Sequence, residues 1–282
     1  AAHPDHAPLW QIKAVKVIHD QEKQRIEYKD ATFEVFGIPV AYTPYFSHAD
    51  PTVKRQSGFL PPSYGHNNQL GYTIDLPYYY AISPSLDATI TPVYTSREGP
   101  VLEGEFRERT SNGRYKFDGS ITQVDQRNDL NEKTGQEQVR GHIRGTGRFN
   151  IDDTWKWGFD AFRSTDDTYT RQYNISSLDT LTSNAFVEGI NGRNYAAANV
   201  YSFQGLLQDD NPGLTPTVLP VLDYSYEGEP SSRGYFALDA NVISLYRTRG
   251  LDTRRFSSTV GWHAPYALFS VPVVLEFILE RV

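Results

Sequence analysis

The sequence predicts an all-β protein: part of an antiparallel transmembrane β-barrel, preceded by a short β-jellyroll or solenoid segment. From about residue 57 onward, apolar and polar residues alternate with a period of two between turn-like breaks. The 282 residues also include 19 tyrosines, 15 phenylalanines and 21 glycines, a mixture typical of strands joined by turns. Residues 1–56 differ because their alternating stretches are short and return tightly.

The first segment consists of short stretches separated by turns. Residues 10–18 alternate, residues 25–28 and 31–36 follow a turn, and residues 37–42 make another return. Units of this kind occur in β-solenoids and jelly rolls, and they cannot bury their apolar faces without neighbours to stack on. We therefore expect residues 1–56 to be the end of such a domain.

The remainder, residues 57–282, consists of roughly ten to twelve two-faced strands by the period-two template. In one of them Leu86, Ala88 and Ile90 share a face, while Asp87 and Thr89 share the other. Successive side chains of a strand point to opposite faces, so each strand has an apolar side and a polar side. No helix of convincing length is expected.

Alternation by itself also fits a soluble sandwich. Two further features favour a membrane barrel. Connections are uneven, because residues 111–113 make a tight turn whereas 125–138 and 166–184 look like long polar loops. Aromatic residues cluster near strand ends, as they do in the interfacial girdles of barrels; they are Tyr78, Tyr79, Tyr80, Trp155, Trp157, Tyr224 and Tyr226.

Composition excludes several function classes. The chain has no cysteine, which rules out disulfides, thiolate metal sites and a cysteine nucleophile. A net charge of −7 without blocks of like charge gives no footprint for nucleic acid. Phosphate-binding glycine loops, a G-x-S-x-G elbow and metal-type histidine spacings are missing. We expect no cofactor, no metal and no enzymatic activity, in a processed or excerpted chain.

Several segments resemble one known family. They are residues 10–14 (WQIKA), 26–31 (IEYKDA), 37–46 (GIPVAYTPYF), 57–62 (SGFLPP) and 76–92 (LPYYYAISPSLDATITP). Together these are similar to the lipopolysaccharide-assembly family LptD (OstA), at the junction between its periplasmic domain and its barrel. The resemblance is dense from Trp10 to Arg109 and weaker to Tyr173. Residues 267–282 do not look like a normal continuation.

The resemblance implies a fold and a function. In the family, a periplasmic β-jellyroll receives lipopolysaccharide from an LptA-like bridge. A large barrel in the Gram-negative outer membrane is plugged by an LptE-like lipoprotein and opens laterally between its first and last strands. By this resemblance, residues 1–56 end the jellyroll and residues 57–282 begin the barrel, which the barrel-assembly machinery would insert. The implied function is non-enzymatic lipopolysaccharide transport.

Other functions stay open on the sequence. An outer-membrane porin or receptor barrel for other solutes is the first alternative. A barrel enzyme is the second, and it would require Ser, His and Asp to cluster in space. This chain also departs from the family: it holds fewer strands than the whole barrel, only part of the jellyroll, and no cysteines for the disulfides of some members.

Candidate site residues fall into two groups. The resemblance maps the lateral gate to Pro62 and Pro77, since proline has no N–H to donate to a sheet ladder; alternatively they mark a strand start and a bulge. An apolar slot for acyl chains, or simply a solenoid core, is formed by Ile12, Ala14, Phe33, Val35, Phe36 and Ile38.

Charged residues give weaker signals. Arg140, Arg144 and Arg148 share one strand face and either meet lipid phosphates or pair with acids on a solvated wall. The acid pairs at 152–153, 166–167 and 209–210 either hold divalent cations or are turn residues.

Overall fold

The computed structural model describes residues 10–22, 24–35, 37–53, 55–127, 133–231, 233–268 and 271–281. The predicted all-β, antiparallel class is confirmed, because every strand pairing is antiparallel and α1 (Tyr169–Gln172) is the one helix in these ranges. The chain divides into two compact units. One is Ala1–Leu60 with Tyr78–Ala81, and the other is Pro61–Pro77 with Ile82–Val282.

The first unit is built on a three-stranded meander. Strands β1 (Trp10–Asp20), β2 (Arg25–Val35) and β3 (Ile38–Ala49) lie in the order β1-β2-β3. The short strand β4 (Gly58–Phe59) pairs with the start of β7 (Tyr78–Ser83). Alternating Ile, Val, Tyr and Phe residues favour these extended segments because such side chains pack well on a pleated surface.

The second unit is a long antiparallel meander. Its order is β18-β17-β16-β15-β14-β13-β12-β11-β10-β9-β8-β6-β5, an open path in the described part of the chain. Its strands are β5 (Ser63–Asn67), β6 (Gly71–Asp75), β8 (Leu86–Thr95), β9 (Gly99–Arg109), β10 (Gly113–Arg127), β11 (Lys133–Asn150), β12 (Trp155–Ser164), β13 (Thr180–Asn191), β14 (Asn194–Gly205), β15 (Thr217–Glu227), β16 (Tyr235–Tyr246), β17 (Thr253–Leu268) and β18 (Val271–Arg281).

Register places the predicted faces together across neighbouring strands. Asp118 of β10 lies opposite Glu105 of β9 and Arg144 of β11, while Ile121 lies opposite Leu102 and Gly141. Cross-strand partners share a side of a sheet, so acids and bases collect on one side and aliphatic residues on the other. We call these the charged face and the apolar face.

Glycine is required at two kinds of position. The β13–β14 hairpin turns through two residues, and Gly192 takes φ 61° there, a conformation that glycine adopts without strain. On the apolar face, rings lie over glycines: a Cβ at Gly147 would be 2.3 Å from the ring of Phe159. Aromatic side chains thus cover backbone that glycine leaves bare.

Two predicted loops and the strand count need correction. Strand β10 runs to Arg127 and β11 starts at Lys133, so pairing extends far into the predicted 125–138 loop. The predicted 166–184 loop is folded, because it contains α1 and ends where β13 begins at Thr180. Counting β4–β5 and β6–β7 as two interrupted strands, the described residues form thirteen strand positions after residue 57, above the expected ten to twelve.

Among the described residues, no helix is long and apolar enough to cross a membrane.

Candidate functional site

The three-stranded sheet brings the predicted slot residues to one side. Ile12 lies opposite Phe33, and Val35 lies opposite Ile38, with Ala14 two residues from Ile12 on the same strand. Phe33 is 36% exposed and Ile38 is 64% exposed, so this side of the sheet is open. Phe36 lies outside the described residues.

Polar contacts organise the opposite side and the end of this sheet. Lys13 Nζ lies 2.9 Å from Glu34 Oε2, which also accepts a 2.7 Å hydrogen bond from Gln11. These bonds from Lys13 and Gln11 lower the pKa of Glu34. Hydrogen bonds from Thr52, and a weaker contribution from His19, lower the pKa of Asp50. Apolar slot residues and ionised carboxylates therefore occupy separate places.

Both gate prolines lie where strand pairing is interrupted. The β4–β7 ladder stops at Phe59 opposite Tyr78, and the β5–β6 ladder resumes at Ser63 opposite Asp75. Three residues on one strand and two on the other lie between these pairs. Pro62 is in the first gap and Pro77 is in the second, so neither proline is called on to donate to a ladder.

Sequence reasoning missed two further prolines near these gaps. Pro61 precedes Pro62 in the first gap, and Pro92 on β8 accepts a 3.1 Å hydrogen bond from Leu76 N beside the second gap. The spacing held a signal, because Pro62, Pro77 and Pro92 are each 15 residues apart by subtraction.

The charged face carries a continuous network of ion pairs. Arg107 Nε lies 2.8 Å from Asp87 Oδ1, and Lys116 Nζ lies 2.6 Å from Glu105 Oε2. Arg144 of the predicted arginine stripe joins this network through Asp118 at 3.0 Å, and Arg148 forms a separate pair with Asp160 at 2.6 Å. Of the two interpretations of the stripe, the structure favours a wall of arginines paired with acids.

Arg140, the remaining residue of the stripe, binds a folded segment, residues 165–179, that we call the strap. Its guanidinium donates to Asp166 at 2.8 Å from Nε and 2.7 Å from Nη2, a two-point contact that planar arginine favours. It also donates to Gln172 Oε1 at 2.6 Å and to Thr168 Oγ1 at 2.8 Å. Arg140 is 7% exposed, so this contact is largely shielded from water.

An aromatic anchor completes the strap. Tyr169 is fully buried, and its hydroxyl lies 2.6 Å from Ser120 Oγ on the charged face. Its ring centre lies 4.5 Å from that of Tyr173, and burial raises the pKa of Tyr173 to about 12. This docking does not follow from the sequence pattern. The available signal was two tyrosines four residues apart in a polar stretch, the spacing of one helix face.

Among the three acid pairs, Asp166 of the 166–167 pair makes the most contacts. Asp166 binds Arg140 and accepts hydrogen bonds from the N–H groups of Thr168 and Tyr169. Asp152 accepts from Thr154 N and Trp155 N, and Asp210 accepts from Leu207 N. These last two are ordinary turn residues. Among the described residues, no cluster of His, Asp and Glu is arranged to hold a metal ion.

Ser, His and Asp do meet beneath the strap. Ser120 Oγ lies 2.7 Å from His142 Nδ1, and His142 Nε2 lies 3.7 Å from Asp118 Oδ2. The second distance exceeds a hydrogen bond. Ser120 is only 7% exposed and is covered by Tyr169. A nucleophile must be reachable and its base must be oriented by a third group. The cluster is therefore suited to anchoring the strap.

The strap should respond to acid. Burial raises the pKa of Asp166, but the bonds and charge of Arg140 and the bonds of Thr168 outweigh it and lower that pKa from 3.8 to about 2. Because the folded pKa is depressed, the stabilisation is complete above pH 3.8 and is lost as the pH falls towards 2. With solvent screening we expect a loss of about 1–2 kcal/mol.

Hydrogen exchange of residues 165–179, corrected for the intrinsic rate at each pH, measures this effect. The control is Asp166→Asn, which removes the titrating group and should abolish the pH dependence. Protection of the strap that stays constant down to pH 2 would contradict the assignment.

The apolar face of the large sheet is exposed and ends in aromatic residues. Leu102, Ile121 and Ile143 are each about half exposed, at 49%, 53% and 56%. Towards one end, the rings of Phe149 and Trp157 stack with centres 4.4 Å apart. A sheet with one ion-paired face and one exposed apolar face edged by aromatics is typical of the wall of an outer-membrane β-barrel protein.

Comparison with known proteins identifies the family: the chain belongs to the LptD family. The family model described as LPS transport system D matches residues 138–277. This match lies wholly beyond the densest sequence resemblance, which ends at Arg109, and it includes residues 267–277. The expectation that the chain departs from the family over those residues is therefore wrong.

Three relatives illustrate the similarity, and each is named LPS-assembly protein LptD. The protein of Pasteurella multocida is 32% identical over 160 residues, which is 57% of this chain and 20% of the relative. That of Idiomarina loihiensis is 30% identical over 173 residues, 60% of this chain and 22% of the relative. That of Pseudomonas putida is 27% identical over 276 residues, which is 89% of this chain and 29% of the relative. The chain thus spans between a fifth and three tenths of these relatives.

Proposed function

We propose that this chain takes part in non-enzymatic transport of lipopolysaccharide to the outer leaflet of the Gram-negative outer membrane. In this proposal residues 1–56 end a periplasmic jellyroll and residues 57–282 form the first part of the barrel. The names of the relatives, LPS-assembly protein, support the substrate class. Lipid would pass along the apolar side of the three-stranded sheet and leave through a seam in the barrel wall.

The observation that carries the proposal is that both gate prolines lie outside the strand ladders. Pro62 comes directly before β5, which is the last strand on its side of the large sheet, and Pro77 follows β6, which pairs with β5. Each ladder hydrogen bond contributes about 0.5–1.5 kcal/mol, so missing bonds loosen this edge strand, which would form one side of the seam. A porin for other solutes has no use for a weakened edge.

Each proposed partner is assigned to the surface whose chemistry suits it. An LptE-like lipoprotein would occupy the lumen against the charged face, which is polar enough to meet a soluble plug domain. An LptA-like bridge would deliver lipid to the periplasmic sheet, and the barrel-assembly machinery would insert the strands. The ion-paired wall supports an inner, water-facing side, because ion pairs are costly to place against lipid.

Site-specific photocrosslinking tests the proposal. With photoreactive benzoylphenylalanine in place of Phe33 in the full-length protein, we expect a lipopolysaccharide adduct in living cells. The matched control is Val15, which lies on the other side of the same sheet and is 84% exposed. A lipid carrier should label at Phe33 well above Val15.

Two results would count against transport. No lipid adduct at Phe33 would favour a barrel for other solutes. Equal labelling at Phe33 and Val15 would mean that lipid contacts the sheet without selecting the slot side.

A further inference from the structure

The apolar face contains a recess of about 700 Å³ between β8 and β12. Its floor is backbone, because Gly104 and Gly119 are direct cross-strand partners and Gly141 lies one strand further along. Around this floor stand aliphatic and aromatic side chains, namely Ile90, Leu102, Phe106, Phe117, Ile121 and Ile143.

This recess is open although other glycines of the same face are covered. A Cβ at Gly145 would lie 2.6 Å from the ring of Phe117, and one at Gly147 would lie 2.3 Å from the ring of Phe159. A Cβ at Gly104 would meet nothing within 4 Å. Aromatic rings therefore cover Gly145 and Gly147, whereas the backbone at Gly104 stays uncovered. We call this uncovered part of the recess the groove.

An arginine lines one end of the groove. Arg163 is the cross-strand partner of Ile143, so it lies on the apolar face, two residues before the strap. It donates to Ser202 Oγ at 2.5 Å and to Phe162 O at 3.2 Å. Within the described ranges it has no carboxylate partner, whereas Arg140, Arg144 and Arg148 each pair with an acid.

A single cation at the end of an apolar groove fits a single class of ligand. Guanidinium carries five N–H donors, so a phosphate can bind beside the two contacts that Arg163 already makes. The groove below it is lined by aliphatic and aromatic side chains, which suit a hydrocarbon chain. The complementary ligand is an amphiphile with a phosphate at one end and acyl chains at the other.

We propose that the recess binds lipopolysaccharide on the membrane side of the barrel wall, with an acyl chain over Gly104 and Gly119 and a lipid A phosphate on Arg163. This proposal rests on the proposed function, in which residues 1–56 lie in the periplasm and the barrel begins there. Strands of a meander alternate in direction, and β12 is the seventh strand position after residue 57, so it would run outward and its strap end would lie at the outer leaflet. Lipopolysaccharide phosphates would then be near the level of Arg163. The recess, on β8–β12, lies beside the proposed seam and would receive lipid that has just left it.

Two substitutions test the site from its two ends. Gly104→Leu fills the groove, and it fits because its Cβ meets no neighbour and Gly104 is not among the glycines with positive φ. Arg163→Ala removes the cation, and Arg163→Lys restores a charge. Each substitution has a matched control on the same face outside the recess. Ala185→Leu is the control for Gly104→Leu, because Ala185 lies opposite Phe159. Arg254→Ala is the control for Arg163→Ala, because Arg254 lies two residues from Phe256 on the same strand.

The readout is crosslinking in a defined bilayer. The full-length protein carries benzoylphenylalanine at Ile90, on the wall of the recess, in nanodiscs of phosphatidylethanolamine and phosphatidylglycerol with lipid A as a minor component. We expect lipid A to dominate the adducts. Gly104→Leu and Arg163→Ala should each lower its yield about tenfold, which corresponds to about 1.4 kcal/mol. Arg163→Lys should recover part of it, and both controls should match the wild type.

Several outcomes would overturn the proposal. Adducts in proportion to bilayer composition would show an ordinary lipid contact. Phospholipid adducts that depend on Arg163 would show a site for another lipid. A loss of yield as large in Ala185→Leu or Arg254→Ala would show a general effect on the barrel. Failure here with a retained adduct at Phe33 removes this site alone, whereas loss of the Phe33 adduct removes the transport function.

Discussion

An Arg140→Ala substitution is expected to release the strap from the charged face and to expose Arg171 within it to trypsin. The arginine side chain is 9% exposed and satisfies Asp166, Thr168 and Gln172 together. Removing one partner of a buried pair costs about 3–5 kcal/mol, because the other charge stays buried and unpaired. Since the side chain of Asp166 is 34% exposed, we expect about 2–3 kcal/mol here.

The matched control is Arg144→Ala, on the same strand and the same face. Its side chain is 44% exposed and it pairs with Asp118, so its loss should cost less than about 1 kcal/mol. The double variant Arg140→Ala with Asp166→Ala leaves no unpaired carboxylate and should recover part of the loss. Urea unfolding in detergent micelles gives the free energies. Continued protection of Arg171 in the single variant would show that Tyr169 holds the strap without Arg140.

Replacing both gate prolines with threonine is expected to cause the largest functional loss. Pro62→Thr and Pro77→Thr restore two N–H donors at the level where the ladder is interrupted. If both bond across the gap, the seam gains about 1–3 kcal/mol, which shifts its opening about 5- to 150-fold towards the closed state. Lipopolysaccharide at the cell surface should fall accordingly, measured in cells whose full-length protein carries both changes.

A third proline provides the control for this prediction. Pro100 lies in β9 opposite Tyr94, where the β8–β9 ladder runs without interruption. Pro100→Thr should leave export unchanged. Normal export in the Pro62→Thr, Pro77→Thr variant, with the protein folded and present at wild-type level, would contradict the gate.

Local patterns predicted the strands because alternation is a property of neighbouring residues. Leu86, Ala88 and Ile90 share a face in any extended segment, whatever lies beside it. The stripe of Arg140, Arg144 and Arg148 followed from the same rule. The acids that pair with this stripe could not be predicted in this way. Asp166 is 26 residues from Arg140, and a period of two does not indicate which segments are neighbours in the fold.

The candidate sites divide in the same way. Pro62 and Pro77 came from the family resemblance, but their position outside the ladders follows from the registers of two strand pairs. Ile12 and Phe33 were grouped by their apolar character, and pairing across β1 and β2 placed them together. The strap was predicted to be a polar loop, because burial of Tyr169 depends on a surface that only the folded sheet provides.

The sequence by itself determined that this protein is a set of two-faced antiparallel strands of the LptD type, since alternation, turns and family motifs are local and readable. The tertiary structure decided which side chains meet: the acid that pairs with each arginine, the docking of the strap and the open groove above Gly104. These depend on register, because sliding one strand by a single residue moves every side chain to the other face.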